Sequence, residues 1–468
     1  MLDSGLLADL RAIVGADAVL TGERVRECAT DVQGHAPGAP ALVRPHSTAE
    51  VSAILRLCHA RGQAVVPHGG RTNLVEGTAT TGSELIVSLE RMNRIEHVDT
   101  VGRTMRVEAG VILQRAQEEA DRHDLMFPLD LGARGSCTIG GNVSTNAGGV
   151  RVLKFGMMRS LVLGVEAVLA DGTVLDSLNR MLKNNAGYDL KQLFIGSEGT
   201  LGIVTRADLR LYPKPRSIAT AFVACRDFGA LVALLGHLDA RLAGQLAAFE
   251  ALWPEFYEVT TSARTSNTAV LPRHYGMYGL IETLGAEPEA DQTRLEQALA
   301  EALDGGLVVD AVVAKSESER RAIWAPREDV WQAQEQYGLT FNFDVSLAVG
   351  DMTVYLEQVR RRAAEAFPGG RVFAFGHIAD GNLHVIVAPG MERGKGGEAA
   401  ERARATAERL VYEPLREIDG SIAAEHGIGL ERRAWLDYSR TPEEIAAMRA
   451  LKAALDPKRI LNPGKVFE

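Results

Sequence analysis

The stretch FGHIADGNLHVIV, residues 375–387, holds two of the chain's 11 histidines, His377 and His384, among residues that are otherwise apolar or turn-forming. On one continuous strand a seven-residue step would put the two rings on opposite faces, because strand side chains alternate with period two. The stretch is interrupted by Ala379-Asp380-Gly381-Asn382, and Asp-Gly is a strong hairpin-turn signal. The reading is therefore a hairpin, with 372–377 as the outgoing strand and 383–387 as the return. Facing side chains of such a pair are about 5 Å apart, close enough for both imidazoles to reach one metal ion. Asp380 is read as a turn residue rather than a ligand. A lone strand histidine is more often a hydrogen-bonded core residue, so a site here needs parts from elsewhere in the chain.

The elements that would position those parts are bounded first by composition. A chain of 468 residues is too long for one ordinary core, and two or three domains are expected. Its 46% hydrophobic and 24% charged content is that of a soluble globular protein. A net charge of −10 argues against nucleic acid or an anionic membrane as partner. The four cysteines, Cys28, Cys58, Cys137 and Cys225, contain no C-x-x-C pair, so neither a disulfide framework nor a thiolate metal site is expected. The start, MLDSGLLADLRAIVG, has no basic region of the secretory type. No apolar run reaches the ~18 residues of a spanning helix. A reducing, cytoplasmic setting is the expectation.

Along the chain, Ser47-Thr48-Ala49-Glu50 has capping-box spacing and opens a helix that Gly62 can close, followed by a short strand over 64–66. Three glycine-rich tracts come next: PHGGRTNLVEG (67–77), GARGSCTIGGNVSTNAGG (132–149) and GSEGTLGIVTRADLRLYPKP (196–215). Between the last two, LVLGVEAVLADGTVL (161–175) reads as two strands joined at Asp171-Gly172. Pro213-Lys214-Pro215 reads as a boundary, after which the texture becomes α+β, with a helix over 291–303 and a strand over 307–314. The run ESERR (317–321) is read as a solvated helix face. Thr441-Pro442-Glu443-Glu444 starts another helix, and the irregular tail DPKRILNPGKVFE keeps enough apolar residues to be packed.

Each glycine tract mixes Gly with Ser, Thr or Asn, which leaves backbone N–H groups and short hydroxyls to face a polyanion such as a dinucleotide. None has the strand, G-x-G-x-x-G, helix arrangement of a Rossmann site, so a nicotinamide cofactor is disfavoured. PHGGRTN with Gly77, TIGGNVSTNAGG and GSEGTLGIVT, followed in order by W-x-x-R-E (324–328), FGHIADGNLH, AAEHGIG and ILNPGK, resemble the FAD-linked D-2-hydroxy-acid dehydrogenases. That family is a branch of the vanillyl-alcohol oxidase type of flavoenzymes and includes D-lactate and D-2-hydroxyglutarate dehydrogenases. The resemblance implies an α+β fold: an FAD-binding domain of two subdomains over 1–215 and an antiparallel-sheet substrate domain with a metal site over 216–426. A C-terminal segment over 427–468 would pack back toward the flavin.

Carried over residue by residue, the resemblance places FAD against Pro67, His68, Gly69, Gly70, Arg71, Thr72, Asn73 and Gly77 in the first tract. From the second tract come Thr138, Gly140, Gly141, Asn142, Ser144, Asn146, Ala147 and Gly148, and from the third Glu198, Gly199, Gly202 and Ile203. Asn462 would return from the tail to the flavin. Some relatives attach FAD to a histidine after the Gly-Gly pair; Arg71 stands there in this chain, so non-covalent FAD is expected. Oxidising a 2-hydroxy acid needs a hydride acceptor, a base, a group that acidifies the alcohol and one that holds the carboxylate. A divalent metal meets the third need, with His377, His384 and Glu425 as ligands and zinc as the expected ion, manganese or cobalt remaining open. His426 is the expected base, Arg327 the carboxylate clamp and Asn382 a second contact to that carboxylate. On its residues alone, Arg327 would read as a surface arginine on a helix.

Two positions depart from the pattern of relatives that act on 2-hydroxyglutarate. A threonine one helical turn after the arginine and a lysine in a Y-K-Y-D-type strand appear here as Trp331 and Asn342. An apolar ring and a neutral amide cannot balance a second carboxylate, so a monocarboxylic D-2-hydroxy acid, D-lactate or one with a larger apolar side chain, is expected. D-2-hydroxyglutarate is the alternative substrate, and a non-catalytic flavin-binding subunit of an electron-transfer assembly the alternative role. A metal-dependent hydrolase or alcohol dehydrogenase without flavin is a third reading. Ala379 replaces a turn glycine of the motif, which costs little if its φ is negative. The expected electron acceptor is an electron-transfer flavoprotein or a quinone, and a homodimer stays open as an assembly.

Overall fold

Ser47 and Gly62 bracket a helix, Thr48–Arg61, as their types require: the Ser47 hydroxyl accepts the Glu50 N–H, and Gly62 takes the left-handed conformation at the other end. A computed structural model describes residues 3–394 and 397–467. They form two units, one made of the chain up to Gly149, Gly156–Lys214 and everything from Glu425 onward, the other of Val150–Phe155 and Pro215–Ala424.

The first unit holds two larger sheets and a two-stranded one, Leu125–Met126 with Tyr212–Pro213. Strands Val19–Thr21, Ala41–Val43, Leu85–Ser88 and Val65–His68 lie in that order, the first pair antiparallel and the others parallel. Strands Ile95–Asp99, Thr104–Glu108, Ile203–Arg210, Val162–Val168 and Val174–Ser177 form an antiparallel sheet, the last two joined at Asp171-Gly172. One apolar core takes Leu10, Ile54 and Leu55 from helices, Leu85 and Val87 from a strand, and Ile460 and Leu461 from the tail. The tail is pinned by an ion pair. Lys452 Nζ donates to Asp456 Oδ2 at 2.6 Å and to the carbonyls of Thr200 and Leu461 at 2.8 Å. Asp456, fully buried, also accepts the N–H groups of Ile460 and Leu461. Residue 462 is thereby delivered to a fixed place.

The second unit is built on one seven-stranded sheet, antiparallel throughout. Its order is Asp310–Val313, Ser217–Cys225, Met277–Gly285, Leu246–Leu252, Arg371–His377, Asn382–Ala388, Phe341–Ser346. The histidine stretch is the expected hairpin, turned by Ile378–Asp380 and by Gly381 at φ 82°, with Phe375 opposite His384. Ala379 is not among the residues with positive φ, so the missing glycine does no harm. The strand expected over 307–314 shrinks to Asp310–Val313, because the N–H groups of Leu307 and Val308 bond the Ala302 carbonyl at the end of the preceding helix.

Helix Glu317–Glu328 covers one face of this sheet, and ESERR is not a purely solvated run. Arg320 turns inward to Glu282 at 3.3 Å. Trp324 Nε1 donates to the same carboxylate at 3.1 Å, and Arg327 Nε reaches Glu250 at 2.7 Å.

Two substitutions separate these contributions. Thr441→Ala removes one arm of the reciprocal capping box at helix Pro442–Leu455 and should lower stability by about 1 kcal/mol. Asp456→Ala leaves the Lys452 ammonium buried without its anion and should lower it by about 3–5 kcal/mol. Denaturant titration of both variants checks the order; equal losses would contradict this account of the tail.

Candidate flavin and metal sites

In the first unit the three glycine tracts meet through their backbones. A Cβ on Gly70 would lie 2.2 Å from the Ser136 carbonyl oxygen, and one on Gly199 would lie 2.6 Å from Pro67 Cγ. Only glycine permits either approach. Within the first tract, Asn73 closes the loop by accepting the Gly77 N–H at 2.7 Å and donating to Thr78 at 2.9 Å. Thr138 caps the short helix Ile139–Thr145, and Asn146 ends it in the left-handed conformation, its Oδ1 accepting the Arg159 N–H. Ser144 accepts the Glu198 N–H through its carbonyl at 2.8 Å. Asn462 Nδ2 donates to the carbonyls of Gly77 and Glu198, so the tail joins the first and third tracts. Ile203 opens a strand opposite Val168 and buries its side chain in the core.

Glu198 does something the sequence reading did not foresee. Held at φ 52°, it accepts with one carboxylate oxygen the Ile428 N–H and with the other the Gly429 N–H, both at 2.8 Å. Its side chain thus fixes the backbone just beyond AAEH. Burial pushes the Glu198 carboxyl above its ordinary range in spite of these donors.

In the second unit the candidate residues fall into rows on one sheet face. The register sets Glu250 opposite His377, and Ser346 opposite Asn382. The next row is Leu252, Phe375, His384 and Asp344, and the one after it Phe373, Ile386 and Asn342. The His377 and His384 rings are 5.5 Å apart. His377 Nδ1 meets Glu250 Oε1 at 2.6 Å, and its Nε2 faces Arg327 Nη2 at 3.3 Å. Arg327 is buried, with its guanidinium carbon 4.5 Å from the centre of the Phe375 ring. Burial pushes the Glu250 carboxyl up, but His377 and Arg327 outweigh this and hold it below the usual carboxylate range.

Asn382 sits in the hairpin as expected, but Nδ2 donates to Asp344 Oδ1 at 2.8 Å and to the Val345 carbonyl at 3.1 Å. Both amide hydrogens are engaged within the protein, which leaves Asn382 no donor for a substrate carboxylate. Trp331 is not one helical turn along the helix of Arg327. That helix ends at Glu328, and Trp331 caps the next short helix with 44% of its surface exposed. Asn342 is exposed on its strand.

Backbone bonds between Ser421 and Ser346, and from the Ala424 N–H to the Asp344 carbonyl at 3.3 Å, bring the chain to the edge of that face. Within the second unit, Asp344 Oδ1 lies 3.6 Å from His384 Nδ1, and Glu425 and His426 follow Ala424 directly in the chain. The oxygen and nitrogen donors of these four residues suit a divalent cation. His377 stands apart from them in this structure, engaged by Glu250 and Arg327. Asp344, Glu250 and Glu282 were not singled out from sequence, although Glu250 and Glu282 are lone acids inside apolar strand runs.

Two family descriptions match the chain: an FAD binding domain over 39–177, and the C-terminal domain of FAD linked oxidases over 214–466. The chain belongs to the FAD-linked oxidases. Among relatives, the mitochondrial D-2-hydroxyglutarate dehydrogenase of Arabidopsis thaliana is 38% identical over all of this chain and 82% of its own length. The D-2-hydroxyglutarate dehydrogenase of Stutzerimonas stutzeri is 34% identical over the whole of both chains. In fold, the chain is similar to p-cresol methylhydroxylase at a TM-score of 0.80 and 17% identity, covering 99% of this chain and 97% of that one. These are vanillyl-alcohol oxidase type folds, so this oxidase has the expected α+β architecture.

The first unit of this FAD-linked oxidase fits the cofactor. His68 Nδ1 and Asn462 Oδ1, on two of the converging segments, are buried without a hydrogen-bond partner. The His68 Nε2–H donates to the Thr78 carbonyl at 3.0 Å, which leaves Nδ1 as a lone pair. Burial drives the His68 pKa down to about 4. The unfolded chain therefore binds this proton more readily, and stability falls as pH drops from about 6.5 toward 4. The loss should be on the order of 3 kcal/mol. His68→Asn should flatten the dependence in denaturant titrations at pH 4.5 and 7; an unchanged slope would remove His68 as its source.

Proposed function

We propose that this FAD-linked oxidase oxidises a D-2-hydroxy acid to the 2-keto acid, using non-covalent FAD and a divalent metal, zinc foremost. One observation carries the reading: the Arg327 guanidinium reaches His377 Nε2 at 3.3 Å over a sheet face that also carries His384, its ring 5.5 Å from that of His377. The donor residues and the glycine cradle described above fit the two groups: bound FAD would supply the hydride acceptor, and a bound metal the positive charge that polarises the substrate oxygens. The residues proposed to hold the metal are His377, His384 and Glu425, with Asp344 beside His384 Nδ1 at 3.6 Å.

The protein's own residues do the rest. Arg327, a planar donor fixed over Phe375, binds the substrate carboxylate. His426, 26% exposed at its side chain and next to Glu425, takes the hydroxyl proton on a ring nitrogen. Asn382 holds Asp344 and not the substrate.

For the substrate, we propose a monocarboxylate with an apolar side chain. The row beyond His384 is Phe373, Ile386 and Asn342: two apolar groups and a neutral amide. D-2-hydroxyglutarate is the second reading, favoured by the names of the relatives. Electrons would leave to an electron-transfer flavoprotein or a quinone. The four free cysteines go with a reducing, cytoplasmic setting.

Anaerobic bleaching of the flavin by D- but not L-2-hydroxy acids tests the activity, and absence of bleaching by any of them would leave only a flavin-binding subunit. His426→Ala should keep FAD and metal yet slow bleaching at least about 100-fold; undiminished reduction would take the proton from another group. Asn342→Lys adds a cation to the outer row and should raise kcat/KM for D-2-hydroxyglutarate about 10–100-fold relative to D-lactate. An unchanged ratio would place the distal group of the substrate elsewhere.

A further inference from the structure

Glu250 is 1% exposed in the apolar strand Leu246–Leu252, where an ionised carboxylate persists only with partners. It has two, one on each oxygen: His377 Nδ1 on Oε1 at 2.6 Å and Arg327 Nε on Oε2 at 2.7 Å. The third side of this triangle is Arg327 Nη2 to His377 Nε2 at 3.3 Å. Guanidinium nitrogens only donate, so Nε2 must present its lone pair and the ring proton must sit on Nδ1, facing Glu250. The tautomer of His377 follows from geometry: it puts the ring's lone pair on Nε2, where Arg327 meets it here and where a metal would take it in place of that contact.

We propose that Glu250 is the positioning residue that couples the two halves of the site. One carboxylate holds His377 as the Nδ1–H tautomer and sets Arg327 in the orientation that receives the substrate carboxylate. The proposal rests on the roles given above to His377 and Arg327. If Glu250 served only to neutralise Arg327, its removal would affect substrate binding and stability but not metal affinity. Tautomer control moves both.

The test uses the full-length flavoprotein. Zinc affinity is measured by competition with a chromophoric chelator, KM and kcat with a D-2-hydroxy acid, and FAD content and melting temperature as checks on folding. Glu250→Gln should weaken zinc binding about 10–100-fold and raise KM, with FAD content unchanged. Arg327→Met should raise KM without weakening zinc binding, because it removes only a competitor for the Nε2 lone pair. If Glu250→Gln does not fold because Arg327 is left without its anion, the double variant Glu250→Gln/Arg327→Met removes that charge and should still show weakened zinc binding. Wild-type zinc affinity in Glu250→Gln or in the double variant would overturn the proposal. So would an equal loss in Arg327→Met alone, which would make the effect one of charge balance. Zinc affinity is read without turnover, so weakened zinc binding together with a wild type that no hydroxy acid reduces would refute the proposed activity and leave the Glu250–His377 link standing. His377→Ala with undiminished zinc affinity would refute the ligand role of His377 and with it the Glu250 proposal, whatever the bleaching shows.

Discussion

Two carboxylates buried in one face of an antiparallel sheet, Glu250 and Glu282, each 1% exposed, set what the second unit must look like. The effective desolvation penalty for such an ion is several kcal/mol, so cations and donors have to come to it. Helix Glu317–Glu328 brings them on one stripe. Arg320, Trp324 and Arg327 are spaced i, i+4 and i+7, which is one face of a helix. Arg320 and Trp324 meet Glu282, and Arg327 meets Glu250. Arg151 also approaches Glu282 at 3.5 Å, so the short segment Val150–Phe155 is drawn into the same network. The helix cannot slide or turn without stranding a buried charge. The result is a guanidinium aimed by the sheet floor and not by its own flexible stem.

The first unit solves a different problem with backbone in place of charge. A cofactor that needs many N–H donors calls for loops, and loops must be kept from moving by something other than a ladder of strands. Close approaches at Gly70 and Gly199 lock tract against tract. Glu198 fastens residues 428 and 429. The buried Lys452–Asp456 pair fastens 460 and 461, and so Asn462. Glu198 and Lys452 hold partners 230 and 252 residues away, which is why the tail belongs to this unit, while Asp456 holds residues four and five places on.

What could be read in advance was whatever a short stretch determines by itself. Ser47 and Gly62 fix the ends of a helix, Asp171-Gly172 and Asp380-Gly381 turn hairpins, and alternation puts His377 and His384 on one face once the turn is recognised. Trp324 and Arg327 were legible as a motif, but not as a response to carboxylates on strands 40 to 80 residues earlier. Glu250 in LAAFEAL and Glu282 in GLIETLG did carry a signal, since an acid alone in an apolar run is rarely buried without a partner. Identifying the partner takes the sheet order, which sets the Glu250 strand beside that of His377 and which no local pattern encodes. Trp331 lies off the turn that spacing alone implies because the helix stops at Glu328, where Asp329 leaves helical geometry at φ −86° and ψ 57°.

The same register bears on how the histidines would share a cation. Each has a carboxylate on its Nδ1 side, Glu250 at 2.6 Å from His377 and Asp344 at 3.6 Å from His384. The first is a full hydrogen bond; the second is longer than one. Asp344 in turn takes the Asn382 amide on Oδ1, the same oxygen that faces His384. Oδ1 is thus held in place beside the ring. In the set proposed above, His377, His384 and Glu425 would hold the cation, which would supply positive charge to the substrate oxygens. Asp344 would then orient His384 and not ligate, since its Oδ1 is shared between the ring and the Asn382 amide. Each histidine is therefore steadied by its own carboxylate, and each carboxylate by a second residue, Arg327 on Glu250 and Asn382 on Asp344.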